Sequence, residues 1–127
     1  MTFDDRTEQI AHQIVDAAIK VHRALGPGLL ESIYEVCFAH ELARRNLKVA
    51  TQVKIPILFE DLKIEDALRL DLIVEELIIV ELKAVESILP VHEAQLLSYL
   101  RLTGKRLGFL LNFNVPLMKQ GIKRLAL

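Results

Sequence analysis

The fold is decided by the stretch Leu77-Ile78-Ile79-Val80-Glu81-Leu82-Lys83, in which two charged residues interrupt an apolar run. A run so rich in aliphatic and β-branched residues is typical of a strand inside a sheet. Glu81 and Lys83 are two residues apart, so their side chains point to the same face of that strand. Because burying a charge without a partner is costly, we expect other charged groups or a cation beside them.

The preceding segment, residues 68–74, has the same character and is interrupted by Asp71. It predicts a second strand, joined to the first by a hairpin around Glu75 and Glu76. We expect Asp71, Glu81 and Lys83 to compensate one another or to coordinate a cation. Carboxylates can hold a hard divalent ion, and a lysine beside them can orient or activate water for metal-assisted hydrolysis. The alternative is a structural Asp–Lys–Glu ion-pair network at a sheet end, or a strand with one solvated face.

The length of the hairpin turn tests the metal-site hypothesis. A two-residue turn would place Asp71 opposite Val80, so that Asp71 and Glu81 would face opposite sides of the sheet. A three-residue turn, or one bulged residue, would bring both carboxylates to the same face. The hypothesis therefore predicts a three-residue turn or a bulge near residues 75–77.

Working outward, the apolar spacing predicts three helices, and Gly26-Pro27-Gly28 separates the first two. The third helix opens at Pro90 and ends at Gly104. Residues 107–113 predict a central strand buried on both faces, and 121–127 a short edge strand. We predict an α/β or α+β fold in a single domain, 1–127, built on a small mixed sheet flanked by helices. The remaining predicted elements are helices 4–25 and 30–46 and a strand through Val53, Ile55 and Ile57.

Composition bounds the class of protein. With 52% apolar and 26% charged residues among 127, the chain is globular. One cysteine excludes an internal disulfide framework and a multi-cysteine zinc site. We find neither a signal-peptide pattern nor an apolar run of about 18 residues, so we expect a soluble, cytoplasmic domain without membrane contact.

The formal net charge of −1 gives no whole-molecule reason to expect nucleic acid. The charges are segregated, however: residues 59–100 carry 3 basic and 10 acidic groups, and residues 101–127 carry 6 basic and none acidic. Any contact with nucleic acid must therefore be local. The basic segment could meet phosphates, or it could neutralise acidic strands within the fold or across a dimer.

Four motifs occur in order along the chain and together carry a resemblance. They are Gly28-Leu29-Leu30-Glu31-Ser32-Ile33-Tyr34, Ile79-Val80-Glu81-Leu82-Lys83-Ala84-Val85-Glu86, Pro90-Val91-His92-Glu93-Ala94-Gln95-Leu96-Leu97-Ser98-Tyr99-Leu100 and Asn112-Phe113. The chain resembles the GxxExxY family, which is grouped with the PD-(D/E)XK nuclease superfamily. The resemblance implies a restriction-endonuclease-like core, in which a mixed sheet is flanked by helices.

The resemblance also implies a site. Asp71, Glu81 and Glu31 would bind Mg²⁺ (or Mn²⁺), with the backbone carbonyl of Leu82 as a further ligand, and Lys83 would assist the nucleophilic water. Gln95 and Tyr99, one turn apart on the third helix, would line the site. Leu70 and Glu76 depart from the pattern, because a proline precedes the Asp in the superfamily's name and a glycine is usual at the turn.

Three supporting residues leave alternatives open. Glu31 near a helix start could be a plain N-terminal acid stabilised by the helix dipole. The Tyr34 phenol could hydrogen-bond within the site or cap the core. His92 could reach the site or a phosphate, or be solvated.

The leading hypothesis is a Mg²⁺-dependent endo- or exonuclease acting on nucleic acid. A non-catalytic interaction or assembly module that keeps the nuclease fold is the alternative, and a metal-dependent hydrolase of another phosphate ester is a third possibility. A chain this small usually presents a full cleft only as a dimer, so we also predict a homodimer.

Overall fold

The computed structural model describes residues 3–127, which form a five-stranded mixed sheet with helices on both faces. This arrangement confirms the predicted α+β fold with a small mixed sheet. The elements in chain order are α1 (Asp5–Leu25), α2 (Glu31–Arg44), β1 (Val49–Phe59), β2 (Leu62–Val74), β3 (Ile78–Lys83), α3 (Pro90–Thr103), β4 (Leu107–Asn112), a 3₁₀ turn (Met118–Gly121) and β5 (Ile122–Ala126).

The strands lie in the order β1-β2-β3-β4-β5, and only β3 and β4 are parallel. A parallel pair needs a long crossover, which α3 provides. Every residue of β4 is buried, which confirms the prediction of a central strand, and β5 is an edge strand as predicted.

Two hydrophobic cores lie on opposite faces of the sheet. The larger core is formed by the apolar faces of α1 and α2, and the smaller by α3 through Leu96 and Leu100. Asp4 begins α1 by accepting a hydrogen bond from the Thr7 N–H at 2.7 Å, as expected of an N-cap residue. Among residues 3–127, no helix is long and apolar enough to cross a membrane.

Tyr34 ties the loop before α2 to the larger core. Its ring is fully buried and stacks on Phe113 with a centroid distance of 4.6 Å. Its hydroxyl donates to the Gly26 carbonyl at 2.6 Å and accepts from the Leu29 N–H at 3.0 Å. The phenol therefore binds the loop that sets the first turn of α2, and so acts on Glu31 through the backbone.

Replacing Tyr34 with phenylalanine is expected to lower the free energy of unfolding by about 1–3 kcal/mol. The ring would keep its place on Phe113, but two backbone groups would lose their partner. Urea denaturation measures the loss, with Tyr99→Phe on α3 as the matched control. Equal stability of the two variants would contradict this role.

The β1–β2 hairpin is longer than the sequence predicted. The second strand was expected to begin near residue 68, whereas β2 begins at Leu62. We call residues 56–66 the distal ribbon. Both of its faces meet solvent along most of its length. It carries exposed apolar side chains, namely Leu58, Phe59, Leu62 and Ile64.

The turn between β2 and β3 has three residues. Val74 pairs with Ile78, and the Leu77 N–H donates to the Val74 carbonyl at 3.0 Å. This confirms the three-residue turn that the metal-site hypothesis required. Glu75 and Glu76 both adopt positive φ, of 54° and 59°, in the turn where the family pattern has glycine.

Candidate active site

Beyond the last ladder pair of β2 and β3, two carboxylates accept the hydrogen bonds of backbone N–H groups. The β2–β3 ladder runs from the turn as far as Leu72 with Val80, and continuing this register places Asp71 opposite Glu81. The Asp71 N–H donates to Glu81 Oε2 at 2.7 Å, and the Leu82 N–H donates to Asp71 Oδ2 at 2.9 Å. In the described part of the chain, the second oxygen of each carboxylate accepts no hydrogen bond and is left for another partner.

A local irregularity of β2 lies at Asp71. Leu70 packs in the core under α3, whereas Leu72 packs in the core under α1 and α2. Residues two apart on a regular strand would share one face, so the alternation is interrupted at Asp71. The interruption frees the Asp71 N–H from the ladder and makes it available to the Glu81 side chain.

The carboxylate pair is protonated more readily than ordinary acids. Burial, together with the charge of Asp71, raises the pKa of Glu81 to about 8, and Glu81 is only 5% exposed. Burial also raises the pKa of Asp71, against the opposing effect of the Leu82 N–H. The pair therefore retains a proton near neutral pH, and a divalent cation could take the place of that proton.

Lys83 lies near the carboxylates without forming an ion pair with them. Its charge lowers the pKa of Glu31, Asp71 and Glu81, although other effects outweigh it. None of the ion pairs within 4.0 Å among residues 3–127 includes Lys83. The alternative of an Asp–Lys–Glu ion-pair network is therefore not what the structure contains.

Glu31 is the first residue of α2 and is exposed. Its pKa is raised, first by partial burial and then by the negative charge of Asp71. A carboxylate stabilised only by the helix dipole would show the opposite shift. The direction of this shift favours a role for Glu31 in the site over that of a plain N-terminal acid, and its role as a metal ligand stays a prediction.

Glu35 is a fourth acid that the sequence analysis missed. It lies one helical turn after Glu31, and its Oε1 accepts a hydrogen bond from Gln52 Nε2 at 2.6 Å. Burial, and then the charge of Asp71, raises its pKa. Its spacing of four residues from Glu31 on one helix was the signal that could have found it.

Of the three predicted residues on α3, Tyr99 has an electrostatic link to the carboxylates. The pKa of Tyr99 is raised by burial and then by the charges of Glu81 and Asp71, which places its phenol near the pair. Gln95, one turn earlier, is exposed. The His92 Nδ1 accepts a hydrogen bond from the Leu89 N–H at 2.9 Å and so caps the start of α3.

Comparison with known proteins decides the family. The sequence model described as the PD-(D/E)XK nuclease superfamily matches residues 8–125. The chain belongs to this superfamily. No curated protein and no solved structure matches it. The mixed sheet with α1 and α2 on one face and α3 on the other is consistent with the restriction-endonuclease-like core of PD-(D/E)XK nucleases.

The donor set of this PD-(D/E)XK protein suits a hard divalent cation, because carboxylate oxygens are its preferred ligands. Asp71 and Glu81 face each other, and each has one oxygen outside the hydrogen bonds that join them. Among residues 3–127, no three Asp, Glu, His or Cys side chains are gathered closely enough to enclose an ion. The exposed side chain of Glu31 would have to turn toward the pair to complete such a set.

The basic C-terminal segment of this PD-(D/E)XK protein forms several contacts within the fold. Lys123 pairs with Glu93 at 3.0 Å, and Arg124 pairs with Glu8 at 2.7 Å. Lys105 donates to the backbone carbonyl of Glu76 at 2.7 Å. These contacts favour the alternative in which the segment neutralises acidic elements of its own fold.

Proposed function

We propose that the protein is a metal-dependent nuclease that hydrolyses phosphodiester bonds in nucleic acid with Mg²⁺ or Mn²⁺. The observation that carries this proposal is the Asp71–Glu81 pair, whose carboxylates face each other with one oxygen each outside their mutual hydrogen bonds. Membership of the PD-(D/E)XK nuclease superfamily supports the same chemistry.

In the proposed mechanism, Asp71, Glu81 and Glu31 would hold the ion, with the Leu82 carbonyl as a further ligand. When bound, a divalent ion would polarise the phosphate and lower the pKa of water. Lys83 would donate hydrogen bonds that orient the attacking water and stabilise charge growing on the phosphate. Tyr99 and Gln95 line the α3 side, where they orient the substrate.

A second candidate is a non-catalytic interaction or assembly module on the same fold. It is favoured by one observation, namely that within residues 3–127 no three ligand side chains are gathered around an ion site. Binding of metal without cleavage of any nucleic acid would support this candidate over the nuclease.

The decisive experiment is calorimetric titration of Mn²⁺ and Mg²⁺ into the wild type and Asp71→Asn. Asparagine keeps the oxygen that accepts from the Leu82 N–H but removes the charge. We expect Mn²⁺ to bind the wild type at least about tenfold more tightly than this variant. Exposed Asp61 gives the matched control Asp61→Asn, which should bind as the wild type does.

The same samples are tested for cleavage of single- and double-stranded DNA and RNA. Cleavage by the wild type and by Asp61→Asn, but not by Asp71→Asn, would support the nuclease. Equal metal binding by all three proteins would remove the proposed site.

We also propose that the protein is a homodimer. The distal ribbon supports this, because Phe59 is 64% and Leu62 57% exposed, and a two-stranded ribbon is marginally stable unless another surface covers it. Finer assignments stay proposals as well: membership of the GxxExxY family, a single domain spanning residues 1–127 and a cytoplasmic location.

Size-exclusion chromatography with light scattering tests the dimer. We expect the wild type to have twice the mass of the chain at micromolar concentration, and the double variant Phe59→Ser with Leu62→Ser to have the mass of one chain. Val36→Ser, which alters a 68% exposed side chain on α2, should remain a dimer. A monomeric wild type would refute the proposal.

A further inference from the structure

Two neighbouring strands change the face to which their side chains point, and they do so at the same level of the sheet. On β1, Val49 packs against the core under α1 and α2, whereas Val53 packs against the core under α3. On β2, the same change separates Leu72 from Leu70. Regular alternation would keep the members of each pair on one face of the sheet. In both strands, therefore, the alternation of side-chain faces is interrupted between the two residues.

Gln52 and Asp71 lie at the level of this change. The β1–β2 register pairs Thr51 with Leu72 and Val53 with Leu70, which puts Gln52 opposite Asp71. Gln52 has a φ of 50°, which is uncommon for a residue other than glycine and breaks the regular alternation of a strand. The backbone of Gln52 therefore accounts for the change of side-chain face on β1 beside Asp71.

The side chain of Gln52 connects this irregular point to α2. Its Nε2 donates to Glu35 Oε1 at 2.6 Å. Glu35 is half-buried and lies one turn from Glu31 on α2. The charge of Asp71 contributes to the raised pKa of Glu35, which places these two carboxylates in the same neighbourhood.

We propose that Gln52 and Glu35 are positioning residues for the candidate site. Their hydrogen bond holds β1 against α2 at Gln52, the residue with positive φ. It thereby fixes the position from which Asp71 faces Glu81 on β3. The inference rests on the proposed function only in one respect, namely that Asp71 is taken to be a metal ligand. Neither residue needs to touch the metal or the substrate.

Amide hydrogen exchange of the metal-free protein tests the positioning role without any ligand. Gln52→Gly keeps a residue suited to positive φ but removes the hydrogen bond to Glu35. We expect exchange of the Leu82 N–H, which donates to Asp71, to become at least about tenfold faster, with the Leu110 N–H in β4 unchanged. Lys54→Gly, on the same strand, is the matched control and should leave the Leu82 N–H protected.

Two variants of Glu35 separate position from charge. Glu35→Gln keeps an oxygen that accepts from Gln52, so its Leu82 N–H should exchange as in the wild type. Glu35→Leu removes the acceptor and should behave as Gln52→Gly does. An unchanged exchange rate in both Gln52→Gly and Glu35→Leu would overturn the proposal.

Titration of Mn²⁺ into the same variants distinguishes this proposal from the proposed function. We expect Gln52→Gly and Glu35→Leu to bind Mn²⁺ about tenfold more weakly, and Glu35→Gln to bind within about threefold of the wild type. Equal weakening by Glu35→Gln and Glu35→Leu would overturn the positioning role, because charge alone would explain it. If the wild type binds no Mn²⁺ while Leu82 exchange still responds as expected, the metal site fails and the positioning role is supported.

Discussion

Replacing Lys83 with methionine is expected to lower the rate of nucleic-acid cleavage by roughly 10²–10⁴-fold while leaving the fold intact. Lys83 is half-buried at the end of β3, on the same face as Glu81, and makes no ion pair within the described chain that folding would lose. Methionine fills a similar volume without the charge, so the loss should fall on the reaction.

Metal affinity should not fall with activity in this variant. The Lys83 ammonium repels a cation at the carboxylates, so its removal is expected to leave Mn²⁺ binding unchanged or to strengthen it. Single-turnover cleavage and calorimetry on one sample measure both quantities. Exposed Lys63→Met on β2 is the control, and a cleavage rate for Lys83→Met equal to the control's would refute the catalytic role.

Replacing Glu81 with glutamine is expected to make the metal-free protein more stable at alkaline pH and to flatten its pH dependence. The pKa of Glu81 rises from 4.5 to about 8 in the folded state, chiefly through burial. Between these values the folded state binds more protons than the unfolded state, so stability falls as pH rises. The contribution is complete below about pH 4.5 and is lost as pH rises through about 8.

The shift in the pKa of Glu81 corresponds to a loss of about 5 kcal/mol in the free energy of unfolding between acidic and alkaline pH. Glutamine is neutral at every pH and keeps an oxygen that can accept from the Asp71 N–H. Urea denaturation between pH 5 and 9, with chelator present, should show wild-type stability falling with pH and the stability of Glu81→Gln falling much less. The control Glu65→Gln, at an exposed position, should show the same pH dependence as the wild type. If Glu81→Gln also showed that pH dependence, the buried carboxyl would not be its cause.

The helices and central strands could be predicted from the sequence because apolar spacing and glycine or proline breaks act locally. The predicted end of α1 at Leu25 agrees with the structure, as does the start of α3 at Pro90. The part of the distal ribbon beyond Ile57 was not predicted, since most of its residues are exposed and leave no pattern of burial. Only pairing between β1 and β2 reveals that it is a strand.

The carboxylate pair could be predicted because the alternation of side chains between the two faces of a strand is a local property. The surroundings of the pair depend on tertiary contacts. The required three-residue turn followed from Asp71 and Glu81 alone. The contact between Glu35 and Gln52 joins α2 to β1, and the positive φ of Gln52 has no sequence signal, because glutamine is not expected there. The alternative of an ion-pair network with Lys83 could not be tested from the sequence, because it depends on side-chain positions: one oxygen of each carboxylate accepts from a backbone N–H, and no ion pair with Lys83 forms in the described chain.

The register between β2 and β3 also makes the site sensitive to a single codon. Loss of one strand residue between Asp71 and the turn, such as Ile73, would pair Asp71 with Val80 if the three-residue turn is kept, and so carry Asp71 to the face opposite Glu81. Aliphatic side chains line both faces of these strands, so the hairpin itself has apolar partners in either register. Descendants of this gene could thus lose the acidic pair in one deletion while every acid remains in the sequence, and a motif search would still score them as complete.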